Sequence, residues 1–221
     1  MSLIAAVITA AGAGTRMGGK QKKEFLDLDG QPMLARAIAP LAEYCHPLVV
    51  TLPAGQIPSA GKLLKPYFND LILIEGGSLR SESVYLALQR LESYSPDIVL
   101  IHDGARPWAS SSLVRRIIEE TRNHGACIPV IGVIEAPKLV DKEGFLVKNL
   151  KRSETKVAQT PQGFLFSPIL KAHLAASSDN ISYIDDAEVY SSHIGPVYTI
   201  TGEIENKKIT FPGDLNLGDL S

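Results

Sequence analysis

A chain of 221 residues is long enough for one large α/β domain with a real core or for two small domains, and 45% hydrophobic and 21% charged side chains are ordinary for a soluble globular protein. A formal charge of −2 argues against a bulk nucleic-acid binder, and two distant cysteines, Cys45 and Cys127, read as reduced core residues rather than a disulfide scaffold or a thiolate metal site. No apolar run approaches the roughly 18 residues of a membrane span, and the N-terminus lacks a signal-peptide layout, so a cytoplasmic chain with no membrane partner is expected.

From the N-terminus, LIAAVIT (3–9) is a continuous apolar run, the mark of a strand covered on both faces in a parallel sheet. It leads into TAAGAGTRMGGKQKKEF (9–25), where glycines give way to positive charge. PMLARAIAPLAEY (32–44) predicts a helix with Pro32 in its first turn and an end or kink at Pro40. PLVVTL (47–52) and LILIE (71–75) repeat the strand signal. SESVYLALQRLES (81–93) predicts a helix with Val84, Leu88 and Leu91 on one stripe and Ser81 as its cap. DIVLIH (97–102) is a fourth strand, and SSSLVRRIIEETRN (110–123) a helix burying Leu113, Ile117 and Ile118. ACIPVIGV (126–133) is a fifth strand. This alternation predicts right-handed crossovers in a mostly parallel, twisted, Rossmann-like sheet.

After Gly132 the pattern changes. KLVDKEGFLVKNLKR (138–152) alternates apolar and polar residues about Glu143-Gly144 and predicts a β-hairpin arm projecting from the domain. A helix from Ser167-Pro168, another near 185–192 and a strand at 196–201 follow. Residues 1–221 read as a single domain with one excursion, without repeats or a linker.

The glycine loop carries the chemistry. Glycines at the carboxyl end of a first strand let the backbone approach phosphates. Gly12, Gly14 and Gly18 are spaced one residue wider than the dinucleotide fingerprint, and Gly19-Lys20-Gln21 lacks the Ser/Thr of a P-loop. Arg16, Lys20, Lys22 and Lys23 suit a ligand with several phosphates. The plain alternative is a solvated turn with surface lysines.

The residues Ala10-Ala11-Gly12-x-Gly14-x-Arg16-Met17, Lys23-x-Phe25-Leu26 and Gly30-x-Pro32 resemble the signature loop of the 2-C-methyl-D-erythritol 4-phosphate cytidylyltransferases. Gly76-Gly77-x-x-Arg80-x-x-Ser83, His102-Asp103-Gly104-Ala105-Arg106-Pro107, Gln159-Thr160-Pro161-Gln162, Asp185-Asp186-Ala187 and Asn206-x-Lys208 continue it in order. The resemblance implies transfer of a cytidylyl group from CTP to the polyol phosphate, with release of pyrophosphate. It implies nucleotide contacts at Ala10, Ala11, Gly12, Gly14, Gly77, Arg80, Ser83 and Gly104, and contacts to the polyol at Asp103, Arg106 and Thr160. Arg16 and Lys23 would stabilise the α-phosphate, while Arg152 and Lys208 would hold the attacking phosphate. Mg²⁺ or another divalent cation would ride mainly on the CTP phosphates, with no protein metal site. The arm would pair two chains in a homodimer. Ser78, Ala136 and Lys22 depart from the pattern, at positions where the family usually has an acidic residue, a threonine and a proline.

Three other readings remain. A cytidylyltransferase for another polyol phosphate, such as ribitol 5-phosphate, shares nearly all these motifs. A dinucleotide-dependent oxidoreductase is disfavoured by the glycine spacing and by TLPAGQ (51–56), which lacks an acidic ribose-binding residue after the second strand. A non-catalytic nucleotide-binding regulator would not need four such cations together. His102, on an apolar strand, reads as a packed structural residue.

Overall fold

The computed structural model describes residues 2–12, 25–179, 181–211 and 213–214. Strand β1 (Ile4–Thr9) is followed by a short antiparallel pair, β2 (Asp27–Leu28) and β3 (Gln31–Pro32), and by helix α1 (Met33–Ala42). Then come β4 (Leu48–Leu52), α2 (Ile57–Leu64), β5 (Leu71–Glu75), α3 (Arg80–Leu91), β6 (Ile98–Asp103), α4 (Ser111–His124) and β7 (Ala126–Gly132). The arm holds β8 (Lys138–Val140) and β9 (Leu146–Asn149). The chain continues with β10 (Lys156–Ala158), β11 (Gln162–Leu165), α5 (Phe166–Ala176), α6 (Asp186–His193) and β12 (Tyr198–Thr201).

The β5–β4–β1–β6 side of the sheet is parallel throughout, with β1 in register between β4 and β6. β11 enters antiparallel between β6 and β7, and β10 continues antiparallel along β7. β12 runs parallel to Cys127–Val130 of β7, which overlaps the residues paired to β10 and β11 and so places it on the other edge. Six strands thus share one direction and two oppose it.

Each strand sends alternate side chains to opposite faces. Ala6 and Ile8 of β1 pack with Leu34, Ile38 and Leu41 of α1, Leu64 of α2 and Leu113 and Ile117 of α4. Ala5 and Val7 face Val84 and Leu88 of α3, Ile169 of α5 and Val189 of α6. Helices therefore cover both faces, and this double burial makes the parallel strands continuously apolar. Cys45 and Cys127 are buried and free, as expected of core thiols.

Several local expectations change. α1 runs through Pro40 and ends two residues beyond it, without the bond that Pro40, having no N–H, cannot donate to the Arg36 carbonyl. Ser81 does not cap α3: Leu79 holds the N-cap position, without a side-chain bond. On α4 the cap is Ser110, which accepts from the Leu113 N–H. The arm forms its own two-stranded sheet, with Gly144 at φ 91° in its turn and every strand residue exposed. No helix among the described residues is long and apolar enough to cross a membrane.

Candidate active site

Thr9 and Asp103 end adjacent parallel strands in direct register. The segments leaving these strands are stitched together at the carboxyl end of the sheet. Ala10 N–H donates to the Thr51 carbonyl at 2.9 Å, Gly76 N–H to Leu52 at 2.8 Å and Gly104 N–H to Thr9 at 3.0 Å. A methyl group on Gly104 would lie 2.9 Å from Leu34 Cδ1 and 3.3 Å from Ala10 Cβ. One on Gly76 would meet Ala11 Cβ and sit 2.7 Å from Ser83 Oγ. These close approaches bring Ala10, Ala11, Ser83 and Gly104 into one cluster. Ser83 Oγ also accepts the Gly77 N–H at 3.1 Å and donates to the Leu79 carbonyl at 3.0 Å, folding the turn back on the helix.

Asp103 is the electrostatic centre. Its side chain is 8% exposed, and its Oδ1 lies 3.2 Å from Arg80 Nε while its Oδ2 lies 2.7 Å from Lys208 Nζ and 3.7 Å from Arg106 Nε. Thr9 Oγ1 adds a donor to Oδ1 at 3.3 Å. Burial by itself would push this carboxyl up, but Arg80, Lys208 and Arg106 hold it well below the usual carboxylate range. Arg80 also lies 2.8 Å, through a terminal guanidinium nitrogen, from Asp186 Oδ2. Burial disfavours its charge, yet Asp186 and Asp103 outweigh that and hold it firmly protonated. In Arg106 the balance tips the other way: burial lowers its pKa despite Asp103.

Behind this cluster the hydrogens can be assigned in sequence. The Arg106 carbonyl can only accept, so His102 Nε2, 3.2 Å away, carries the ring proton. The unprotonated Nδ1 then accepts the Thr160 hydroxyl proton at 2.9 Å, and Thr160 Oγ1 in turn accepts the Asp103 N–H at 3.0 Å. Full burial lowers the His102 pKa to about 4, so the ring is neutral and structural, as its strand position suggests. Arg106 donates to the Asn206 carbonyl at 2.8 Å, and Asn206 Nδ2 to the Thr160 carbonyl at 2.8 Å. Gln159 Nε2 reaches the Glu203 and Asn206 carbonyls at 2.7 and 3.1 Å.

The structure therefore joins Asp103, Arg80, Arg106, Thr160 and Lys208 in one network beside Ala10, Ala11, Ser83 and Gly104. Arg152 does not join it: exposed at the foot of the arm, it donates to the Ile134 carbonyl at 3.3 Å. Gly14, Arg16 and Lys23 lie outside the described residues, while Gly12 is at their border. Ser78, where the pattern has an acid, is itself bonded to a carboxylate, with its N–H and Oγ 2.7 and 2.9 Å from Glu82 Oε2. Ala136 is exposed at the entry to the arm. Roles for Thr9, Asp186 and Asn206 were not assigned from sequence, although the latter two sit inside quoted motifs. Their partners come from other segments, brought together by the sheet order and by the packing of α6 beside α3 and α5.

Among the described residues no three His, Cys, Asp or Glu side chains could together hold a metal ion. Both Asp103 oxygens are occupied by cations.

The family pattern described as "IspD: 2-C-methyl-D-erythritol 4-phosphate cytidylyltransferase" matches residues 4–220. A protein of that description from Clostridium beijerinckii is 34% identical over 98% of this chain and 97% of its own length. A "Bifunctional enzyme IspD/IspF" from Rhodopseudomonas palustris is 37% identical over 96% of this chain. The chain spans about half of that relative, 53% of its length. Among solved structures, the 2-C-methyl-D-erythritol 4-phosphate cytidylyltransferase of Thermus thermophilus aligns over 99% of this chain and 98% of its own, at 31% identity and a TM-score of 0.81. A structure from Anaerococcus prevotii shares the fold at a TM-score of 0.87 and 23% identity, over 99% of this chain and 95% of its own.

Proposed function

The chain belongs to the 2-C-methyl-D-erythritol 4-phosphate cytidylyltransferase family, enzymes that join CTP and that polyol phosphate into CDP-methylerythritol for isoprenoid synthesis, and we propose how its residues carry out this transfer. An oxygen of the polyol 4-phosphate attacks the α-phosphorus of CTP in line. The bond to the β-phosphate oxygen breaks, and pyrophosphate leaves with the electron pair. The nucleophile is already an anion, so no general base is needed. The obstacle is repulsion between two phosphates, which positive groups positioned in advance must offset.

The observation that carries this reading is Asp103 at the end of β6, ringed by Arg80, Arg106 and Lys208 beside Thr9, where β1 ends. The carboxylate holds the three cations in place. Lys208, 39% exposed, is the one with freedom to meet a phosphate. The nucleotide rests against Ala10, Ala11, Gly12, Gly14, Gly77, Arg80, Ser83 and Gly104, with the polyol at Asp103, Arg106 and Thr160. Arg16 and Lys23 stabilise charge on the α-phosphate, and Arg152 positions the attacking phosphate with Lys208. A divalent cation such as Mg²⁺ accompanies the triphosphate and neutralises part of its charge.

The same reading makes the protein a homodimer. What supports it is the arm, a two-stranded sheet that exposes Leu139, Val140, Phe145, Leu146 and Val147. An isolated hairpin is marginal in water, and a symmetric copy is the simplest cover. Arg152 at its foot then belongs to the neighbour's site.

Pyrophosphate release tests the function. CTP with 2-C-methyl-D-erythritol 4-phosphate should turn over fastest, ahead of CTP with ribitol 5-phosphate and of UTP or ATP with either acceptor. Preference for ribitol 5-phosphate would reassign the acceptor, and calorimetric preference for NAD over CTP would end the transferase reading.

A further inference from the structure

We propose that Asp186 is a positioning residue for the transfer: through its ion pair with Arg80 it holds that guanidinium against Asp103. This rests on the reading of Arg80 and Asp103 as site residues. Asp186 is the first residue of α6, and its side chain is 1% exposed. A buried carboxylate is costly unless paired. Capping does not account for it, because Asp185 already caps α6 by accepting the Glu188 N–H at 2.9 Å. The two Asp186 oxygens turn elsewhere. Oδ1 meets His173 Nε2 of α5 at 3.2 Å, and Oδ2 lies 2.8 Å from Arg80.

Arg80 needs such a holder. It is the first residue of α3, a helix without a side-chain cap, and a cation there opposes the positive end of the helix dipole. Asp103 by itself is a divided anchor, since Thr9, Lys208 and Arg106 also claim its oxygens. Asp186 supplies a second anion, fixed from both sides. Gln162 of β11 donates to the Asp185 side chain at Oδ2, 2.9 Å away, and accepts the Ala187 N–H at 3.1 Å, holding the residues on either side of Asp186. His173 secures the oxygen that Arg80 does not use. The competing account is a simple tie between α6 and α3, which affects stability without touching kinetics.

A kinetic cycle separates the two. Asp186→Asn, Arg80→Ala and the double variant are compared in pyrophosphate release from CTP with 2-C-methyl-D-erythritol 4-phosphate, alongside urea midpoints. Asp186→Asn should lower kcat/KM about tenfold in the wild-type background and less than about twofold in the Arg80→Ala background. Equal losses in both backgrounds overturn the proposal, as does unchanged kcat/KM with a lowered urea midpoint. If Asp186→Asn does not fold, Asp186→Glu takes its place in the same cycle, under the same criteria. An arm independent of turnover is solvent exchange of the Arg80 Nε–H by ¹⁵N NMR. Exchange should quicken about tenfold in the Asp186 variant, and equal rates overturn the proposal. A wild-type protein that releases no pyrophosphate counts against the functional reading, while the exchange rates still decide whether Asp186 holds Arg80.

Discussion

Lys208 Nζ lies 2.7 Å from Asp103 Oδ2, so one of the cations proposed to hold the attacking phosphate is tethered to a strand end rather than left in solvent. The same aspartate restrains Arg80 and Arg106, and its charge governs the whole cluster.

Asp103→Asn keeps the shape and removes the anion the three cations share. Breaking a buried pair from one side costs about 3–5 kcal/mol, so the urea midpoint should fall and kcat/KM should drop at least about 100-fold. The pH dependence has a definite sign. The folded carboxyl titrates well below its unfolded value of about 3.9, so its stabilisation is complete above that value and lost as pH falls beneath it. The difference between wild-type and Asp103→Asn midpoints should be flat from about pH 7 to 5 and shrink below about 4. A difference that grows on acidification would show that the cations do not hold this carboxylate.

His102 affects a different pH range. Burial lowers its folded pKa to about 4, whereas the unfolded chain takes up this proton near 6.5. Between these values the unfolded chain binds more protons, so stability is full above about 6.5 and declines towards 4, by roughly 3 kcal/mol. His102→Gln cannot titrate and should flatten the stability curve over this window. Urea melts of both proteins at half-unit steps would measure it, and an unaltered slope would assign the proton uptake to another group.

Gly104→Ala tests where the nucleotide lies. The added methyl would sit 2.9 Å from Leu34 Cδ1 and 3.2 Å from the Thr9 carbonyl, which is itself held by the Gly104 N–H. Leu34 Cδ1 can turn aside, but the Thr9 carbonyl and Ala10 Cβ of the β1 exit segment, 3.2 and 3.3 Å from the methyl, must each give by a few tenths of an ångström, at a cost of about 1–3 kcal/mol. Calorimetry should show CTP binding weakened about tenfold, a loss of about 1.4 kcal/mol. Wild-type affinity for CTP in a folded Gly104→Ala protein would remove that segment from the nucleotide site.

The shared dimeric site can be tested by mixing. Lys23→Ala and Arg152→Ala should each be nearly inactive alone. After subunit exchange, about half the dimers are mixed and each has one intact site of two, so roughly a quarter of wild-type activity should return. Exchange confirmed by mass, with activity still at background, would mean that Arg152 acts within its own chain.

The strands β1, β4, β5, β6 and β7 were legible to within a residue or two, because burial on both faces leaves an apolar run with no polar alternation. β11 was not. It has only four residues, Gly163 interrupts its pattern, and Phe164 and Leu165 run directly into α5, so no separate strand stands out. α2 was missed because IPSAGKLL carries Pro58 and Gly61 and buries only Ala60 and Leu64. In the site, the glycines, Asp103, Arg106 and Thr160 stood out as motifs. The Arg80–Asp186 pair did not, since its partners meet only once α6 packs against the face that carries α3.

The insertion of β11 between β6 and β7 also imposes an order of manufacture. During synthesis β1, β4, β5 and β6 leave the ribosome early, carrying Ala10, Ala11, Ser83, Asp103 and Gly104 with them. β7 emerges next, yet its place beside β6 is taken by a strand not yet made. Thr160 and Lys208 come later still. Ala10, Ala11, Ser83 and Gly104 are thus made before Thr160 and Lys208 can join Asp103. A chain halted short of Gln162 leaves one edge of β6 unpaired, open to pairing with another nascent chain.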